Sequence, residues 1–147
     1  MNSNPIVQNK LLLVEDNPMD VDLTKRAFAI HKLPVIIEVA RDGEEAIGFI
    51  KKWEDGLPVP KVILLDLKLP KIGGLQVLRT LKLHSVYQHI PVVVLTSSSE
   101  ERDVYTAYDY GANSYIVKEI DFDKFLDIAV YIENYWCKLN ILPRQSS

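Results

Sequence analysis

The chain has little cysteine, no long apolar run and no excess of positive charge, and each of these shortages excludes a class of protein. Cys137 is the only cysteine among 147 residues, so no disulfide can form within the chain, which fits a reducing compartment. No apolar run approaches the roughly 18 residues of a membrane-spanning helix, and the N-terminus lacks the apolar segment of a signal peptide. The net charge of -3 argues against a broad nucleic-acid surface. We therefore expect a cytoplasmic protein with neither a membrane nor a nucleic acid as partner.

The length and composition are those of one ordinary globular domain. The chain is 48% hydrophobic and 25% charged, and a domain of this size buries enough apolar surface to fold without disulfides. We predict one domain over residues 10–142, preceded by a tail at 1–9 and followed by a tail at 143–147.

Five short apolar segments alternate with segments of helical periodicity. The apolar segments are residues 11–14, 35–39, 62–65, 92–95 and 114–117. Three of them are unbroken apolar runs, which is typical of strands covered on both faces. A fifth helix is predicted from about Asp121 to about Lys138. Strict alternation of strand and helix predicts an α/β fold, a doubly wound parallel sheet with helices on both faces.

Polar side chains follow four of the five predicted strands, at the point where each strand ends. Glu15 and Asp16 follow the first run, Asp66 follows the third, Thr96 the fourth and Lys118 the fifth. Because ligands of open parallel sheets bind beyond the carboxyl ends of the strands, we expect these side chains to share one site.

The residue types at these positions fit one chemistry. Three neighbouring carboxylates repel one another unless a cation neutralises them, and Mg²⁺ is a hard cation that needs only a few carboxylates. Asp66 could then act as a nucleophile and form an aspartyl phosphate. The Thr96 hydroxyl and the Lys118 amine would balance the charge on the phosphoryl oxygens.

Each of these residues also has a simpler interpretation. An Asp after a strand commonly forms a turn or caps a helix, and a lone Lys is commonly a solvated surface charge. Glu15-Asp16-Asn17-Pro18 alone reads as a turn leading into a helix. The placement of all these residues at strand ends is what favours a shared site.

Four segments resemble the receiver domain of two-component response regulators. They are LLLVEDNPMDVDL, VILLDLKLPKIGG, VVVLTSSSE and NSYIVKEIDF, and the resemblance covers about residues 10–138. It implies a flavodoxin-like (βα)5 fold with strand order 2-1-3-4-5. It also implies Mg²⁺-dependent phosphorylation of one Asp by a sensor histidine kinase.

The resemblance implies a role for each matching residue of the acidic site. Asp66 is the expected phosphoacceptor. Asp16 and Asp66 are expected to bind Mg²⁺ directly, Glu15 mainly through water, and the backbone carbonyl of Lys68 is expected to complete the protein ligands.

The same resemblance implies a switch around the phosphoryl group. Thr96 and Lys118 are expected to contact that group, and Thr96 with Tyr115 forms the expected switch pair, in which the aromatic ring turns inward. Lys68 and Ser98 are the positions expected to tune the lifetime of the aspartyl phosphate.

One position departs from the family pattern. Glu119 stands where the family usually has a proline after the lysine, often with a cis bond. A cis bond before a non-proline residue costs about 2.5–4 kcal/mol, so we predict a trans Lys118-Glu119 bond or a rearranged loop. The added acid suggests the further hypothesis that Glu119 slows phosphorylation.

The C-terminal helix resembles a narrower group. Residues 135–143 resemble the extended last helix of small response regulators paired with cyanobacterial and other bacterial phytochromes. A phytochrome is therefore the expected kinase. Those relatives are stand-alone receivers, and several are homodimers.

The last helix has two predicted faces. The expected core face comprises Phe125, Ala129, Ile132 and Trp136. An adjoining stripe, the expected homodimer interface, comprises Ile128, Tyr131, Tyr135 and Leu139. The core face and the stripe together form a wider apolar arc than a surface helix needs to pack on its own core. The alternative is that this stripe packs under loops of its own chain.

The alternatives to a phosphoacceptor are an enzyme and a phosphate-independent interaction module. Phosphatases of the haloacid dehalogenase type use an acid two residues after the nucleophile, where this chain has Lys68, which argues against that class. A nucleotide hydrolase is disfavoured because the sequence has no GxxxxGK[ST] loop to bind phosphates. A phosphate-independent interaction module with the same fold remains the alternative. We therefore expect a signalling protein, not an enzyme, beyond its own phosphoryl transfer and hydrolysis.

Overall fold

The computed structural model describes residues 9–118 and 121–143, and within these ranges strands and helices alternate strictly. The strands are β1 (Asn9–Val14), β2 (Val35–Ala40), β3 (Val62–Leu65), β4 (Val92–Thr96) and β5 (Ser114–Val117). The helices are α1 (Pro18–Ile30), α2 (Gly43–Glu54), α3 (Gly74–Leu83), α4 (Glu101–Asp109) and α5 (Phe122–Ile132). A 3₁₀ turn at Tyr87–His89 precedes β4, and α5 continues as a π-helical segment, Glu133–Leu139. The first strand begins at Asn9, the last residue of the predicted tail.

The five strands form one parallel sheet. Their order is β2-β1-β3-β4-β5, which confirms the predicted doubly wound, flavodoxin-like topology. The chain moves outward from β1 to β2 and then returns past β1 to β3. The order therefore reverses between β1 and β3, where sheets of this type bind ligands.

Alternate residues of the central strands build two separate cores, because successive side chains of a strand point to opposite faces. One face carries Leu12, Val14, Ile63, Leu65, Val92 and Val94, which pack with residues of α2 and α3. The other carries Leu11, Leu13, Val62, Leu64, Val93 and Leu95, which pack with residues of α1 and α5. Burial on both faces explains why these strands are unbroken apolar runs.

The C-terminal helix departs from the predicted periodicity at its end. Phe125, Ala129 and Ile132 lie in the core as expected, and Glu133, one α-helical turn after Ala129, is also buried. The wider π turn that follows then places Cys137 inward. Trp136, expected on the core face, is half-buried and packs against the same core. The fully buried Glu133 carboxylate lies 3.1 Å from the Lys138 ammonium, which provides a counter-charge.

None of the helices within the described residues combines the length and the apolar character needed to cross a membrane.

Candidate functional site

The residues predicted at the strand ends meet at one edge of the sheet. Glu15 and Asp16 directly follow β1, Asp66 directly follows β3, Thr96 ends β4, and Lys118 directly follows β5. Hydrogen bonds join the side chains of Glu15, Asp66, Thr96 and Lys118 directly. The sequence-based grouping is therefore correct.

Three carboxylates form the acidic part of the site. One oxygen from each of Glu15, Asp16 and Asp66 lies within 4.8 Å of the others. Glu15 and Asp66 are buried, whereas Asp16 is exposed. A set of anionic oxygen ligands open to solvent on one side suits a hard divalent cation such as Mg²⁺. The donor set therefore fits the predicted cofactor.

Burial raises the pKa of Glu15 to about 7, and the charge of Asp66 adds to this shift. The hydrogen bond from Lys118 opposes it, as does the backbone N–H of Asn17, which donates to Glu15 Oε2 at 3.2 Å. Burial disfavours the charged form of this carboxylate, and the ammonium group of Lys118 favours it. A bound cation would favour the charged form.

The Asp66 carboxylate receives a donor on each oxygen. The Thr96 hydroxyl donates to Oδ1 at 2.9 Å, and the backbone N–H of Lys68 donates to the same atom at 3.2 Å. Lys118 Nζ donates to Oδ2 at 3.2 Å. The carboxylate is thus held in one orientation before any ligand binds. The predicted role of the Lys68 carbonyl in cation binding stays a prediction.

Lys118 contacts three carboxylates at once. Its ammonium donates to Glu15 Oε1, to Asp20 Oδ2 at 3.0 Å and to Asp66 Oδ2. Burial alone would lower the pKa of Lys118, but the hydrogen bonds and the negative charges raise it above its usual value. This lysine is therefore firmly charged and neutralises part of the acidic site.

Asp20 is the site residue that sequence reasoning missed. It lies in the first turn of α1, four residues after Asp16. Asn17 caps that helix, since its Oδ1 accepts from the backbone N–H groups of Met19 and Asp20. The only available signal was an acid near the start of the helix that follows β1. Because the contact with Lys118 spans 98 residues, local patterns could not reveal it.

The expected switch pair is not in direct hydrogen-bond contact. The Tyr115 hydroxyl donates to the Ser98 carbonyl at 2.8 Å, and the ring is half-buried against the core cluster on the α2 and α3 side. Ser98 Oγ in turn donates to Asp103 Oδ2 at 2.5 Å, at the start of α4. Burial raises the pKa of Tyr115, so it stays a neutral donor. The two bonds join the segment after β4 to both β5 and α4.

The loop after Asp66 is closed by a glycine. The backbone N–H of Gly74 donates to the Leu67 carbonyl at 3.0 Å. A Cβ at Gly74 would lie 2.3 Å from the backbone oxygen of Asp66 and 2.5 Å from Leu67 Cα. Only glycine allows α3 to start this close to the phosphoacceptor position.

The predicted trans Lys118-Glu119 bond lies outside the described residues, as does the side chain of Glu119. Both hypotheses about this position stay predictions.

Comparisons with known proteins agree with this geometry. The family model described as "Response regulator receiver domain" matches residues 11–130 of the chain. The probable methanogenesis regulatory protein FilR2 of Methanothrix harundinacea is 38% identical over 134 residues, which span 90% of this chain and 86% of that protein. The response regulator Rcp1 of Synechocystis sp. is 34% identical over 143 residues, which span 96% of each.

Solved structures of response regulators also superimpose on this chain. The phosphorylated cyanobacterial phytochrome response regulator RcpA superimposes with a TM-score of 0.86 at 36% identity, over 94% of this chain and 100% of that one. The Mn²⁺-bound form of Rcp1 gives a TM-score of 0.82 at 33% identity, over 92% of this chain and 99% of that one. Proteins similar to this chain have thus been observed in a phosphorylated form and in a metal-bound form.

Proposed function

This chain belongs to the response regulator receiver domain family, and we propose that it is a single-domain phosphoacceptor for a sensor histidine kinase. The observation that carries the proposal is the environment of Asp66. Its carboxylate is oriented by Thr96, Lys118 and the Lys68 backbone, beside the carboxylates of Glu15 and Asp16. No simple structural role requires two extra acids and a lysine around one buried carboxylate.

The proposed reaction moves one phosphoryl group. A carboxylate oxygen of Asp66 attacks the phosphorus of a phosphohistidine, and the P–N bond breaks as its electron pair returns to the imidazole, which is then protonated. The product is an acyl phosphate on Asp66 and a free histidine. Thr96 Oγ1 and Lys118 Nζ are placed to stabilise the phosphoryl oxygens.

A divalent cation completes the proposed site. Glu15, Asp16 and Asp66 would hold Mg²⁺, with the Lys68 carbonyl as a further ligand, and the ion would neutralise negative charge where the phosphoryl group arrives. The Mn²⁺-bound form of Rcp1 supports this assignment.

The new phosphoryl group would act as a switch. It offers acceptor oxygens to the Thr96 hydroxyl, which now donates to Asp66 Oδ1. Movement of Thr96 would shift the segment that begins at residue 97, and Tyr115 and Asp103 are both attached to that segment through Ser98. We infer that this shift alters the surface formed by α4, β5 and α5.

Acetyl phosphate tests the proposal without knowledge of the kinase. Incubation with acetyl phosphate and Mg²⁺ is expected to add one phosphoryl group to the intact protein, because a carboxylate oriented in this way needs only a donor and a cation. An excess of EDTA is expected to prevent the addition. The intact mass reports both outcomes. Absence of the added group with Mg²⁺ present would contradict the proposal and favour the phosphate-independent module.

We propose that the kinase is a phytochrome. We also propose that the protein is cytoplasmic. The similarity to RcpA and Rcp1 supports a phytochrome kinase. Phosphate transfer from a purified bacterial phytochrome kinase is expected to outpace transfer from an unrelated histidine kinase. Equal rates with the two kinases would contradict this partner.

We also propose a homodimer through the stripe Ile128, Tyr131, Tyr135 and Leu139. Tyr131, Tyr135 and Leu139 are 69%, 50% and 71% exposed, and exposed tyrosines of this kind are favoured in interfaces. Ile128 contributes less, because it is half-buried and packs against the core on the α1 and α5 side.

Charges placed in this stripe are expected to separate the subunits. The double variant Tyr131→Glu with Leu139→Glu should raise the dimer dissociation constant about thirtyfold or more, equal to ~2 kcal/mol, because interface centres tolerate charge poorly. Sedimentation velocity measures this change. Leu83→Glu is the matched control, since Leu83 is 75% exposed on α3, and it should leave the dimer intact. A wild-type monomer at tens of micromolar would contradict the proposal.

A further inference from the structure

We propose that Asp20 is a positioning residue that competes with the incoming phosphoryl group for the Lys118 ammonium and so limits the phosphorylation rate. This inference rests on the proposed function of Asp66. It assigns to α1 a regulatory part in a site otherwise built from strand ends.

Carboxylates occupy all three N–H donors of the Lys118 ammonium group. An ammonium group has three N–H donors and no acceptor. Lys118 uses them on Glu15 Oε1, on Asp20 Oδ2 at 3.0 Å and on Asp66 Oδ2 at 3.2 Å. Before Lys118 can donate to a phosphoryl oxygen, one of these carboxylates must release it.

Of the three carboxylates that accept from Lys118, Asp20 has the fewest other groups to neutralise its charge. Glu15 and Asp66 belong to the group of oxygens that fits a divalent cation, and Asp20 does not. Asp66 also has Thr96 and the Lys68 backbone as donors. Among the described residues, Lys118 is the one hydrogen-bond donor to the Asp20 carboxylate. Once a cation satisfies the other acids, Asp20 is the competitor that still holds Lys118.

The position of Asp20 is fixed by its backbone. Its N–H donates to Asn17 Oδ1 at 3.4 Å, and its carbonyl accepts from Thr24 Oγ1 at 2.8 Å. The side chain of Asp20 is 36% exposed and that of Lys118 is 16% exposed. The pair is therefore partly solvated, and its contribution to the rate should be moderate.

Removal of the Asp20 charge is expected to speed phosphorylation. At saturating Mg²⁺, Asp20→Asn should raise the labelling rate by acetyl phosphate about two- to fivefold, equal to about 0.5–1 kcal/mol. Asp20→Glu keeps the charge on a longer side chain and should keep the rate close to that of the wild type. Asp22→Asn is the matched control, because Asp22 lies on the same helix but pairs with Arg26, and it should not change the rate.

Two kinetic readouts separate this role from a structural one. The increase for Asp20→Asn should appear mainly in the maximal rate at saturating acetyl phosphate, because Lys118 would act most strongly as the phosphoryl group transfers. In a Lys118→Gln background, Asp20→Asn should no longer change the rate. An equal increase in that background would show that the charge of Asp20 affects the rate without acting through Lys118, and it would overturn the proposal.

A third readout does not depend on phosphorylation. The ¹⁵N and ¹H resonances of the Lys118 ammonium group should shift in Asp20→Asn and stay unchanged in Asp22→Asn. An unchanged signal in Asp20→Asn would overturn the proposal. Failure of the proposed function has a different signature, since it would leave every variant, including the wild type, unlabelled.

Discussion

Asp66→Asn is expected to take up no phosphoryl group under conditions that label the wild type fully. An amide oxygen is a far weaker nucleophile than a carboxylate, and the substitution removes one of the three charges that attract a cation. The amide has nearly the same shape as the carboxylate and can still accept the hydrogen bond from Thr96. The loss should therefore come from chemistry and not from unfolding.

Intact mass with acetyl phosphate and Mg²⁺ measures this effect, and thermal unfolding confirms that the variant is folded. Asp127→Asn is a suitable control, because Asp127 is an exposed acid on α5 and does not belong to the acidic group around Asp66. It should be labelled like the wild type. Full labelling of Asp66→Asn would mean that another carboxylate, such as Asp16, is the true acceptor.

Gly74→Ala is expected to destabilise the protein strongly, although it adds a single methyl group. The added Cβ would lie 2.3 Å from the Asp66 backbone oxygen and 2.5 Å from Leu67 Cα. These are backbone atoms of the segment that carries the phosphoacceptor, so they cannot move aside as a flexible side chain would. We expect a loss of about 3 kcal/mol in the free energy of unfolding, or roughly 6–12 °C in Tm.

The same substitution elsewhere provides the control. Gly48 is an exposed position inside α2, and a Cβ there meets nothing within 4 Å. Gly48→Ala should stabilise the protein by about 0.5–1 kcal/mol, because alanine is the better helix former. Chemical denaturation of both variants measures the two effects. A Gly74→Ala protein as stable as the wild type would contradict the close approach of α3 to Asp66.

The sheet and the main site residues could be predicted because both depend on local sequence. Runs such as 62–65 show buried strands directly, and the residue after each run must lie at the same edge of a parallel sheet. Asp66 and Thr96 were therefore placed correctly, and the structure adds their hydrogen bond at 2.9 Å. The strand order itself came from the family resemblance, since alternation alone does not order strands.

Other features depend on contacts that no local pattern records. Asp20 reads as an ordinary acid in the first turn of a helix, and only the folded chain brings Lys118 to it. The π turn at the end of α5 was missed for a related reason. A helical wheel assumes 3.6 residues per turn, so it gave no sign that Cys137, which follows the π turn, is buried.

The hydrogen bonds that join Ser98 to Tyr115 and to Asp103 have a thermodynamic consequence. They tie the segment between β4 and α4 to Tyr115 and to Asp103, so that segment belongs both to the site and to the α4 surface. A coupling free energy between two sites is reciprocal. If phosphorylation changes the affinity of a partner for α4 by a given factor, that partner changes the equilibrium for phosphorylation of Asp66 by the same factor. A downstream partner of this protein would therefore also regulate how much of it is phosphorylated.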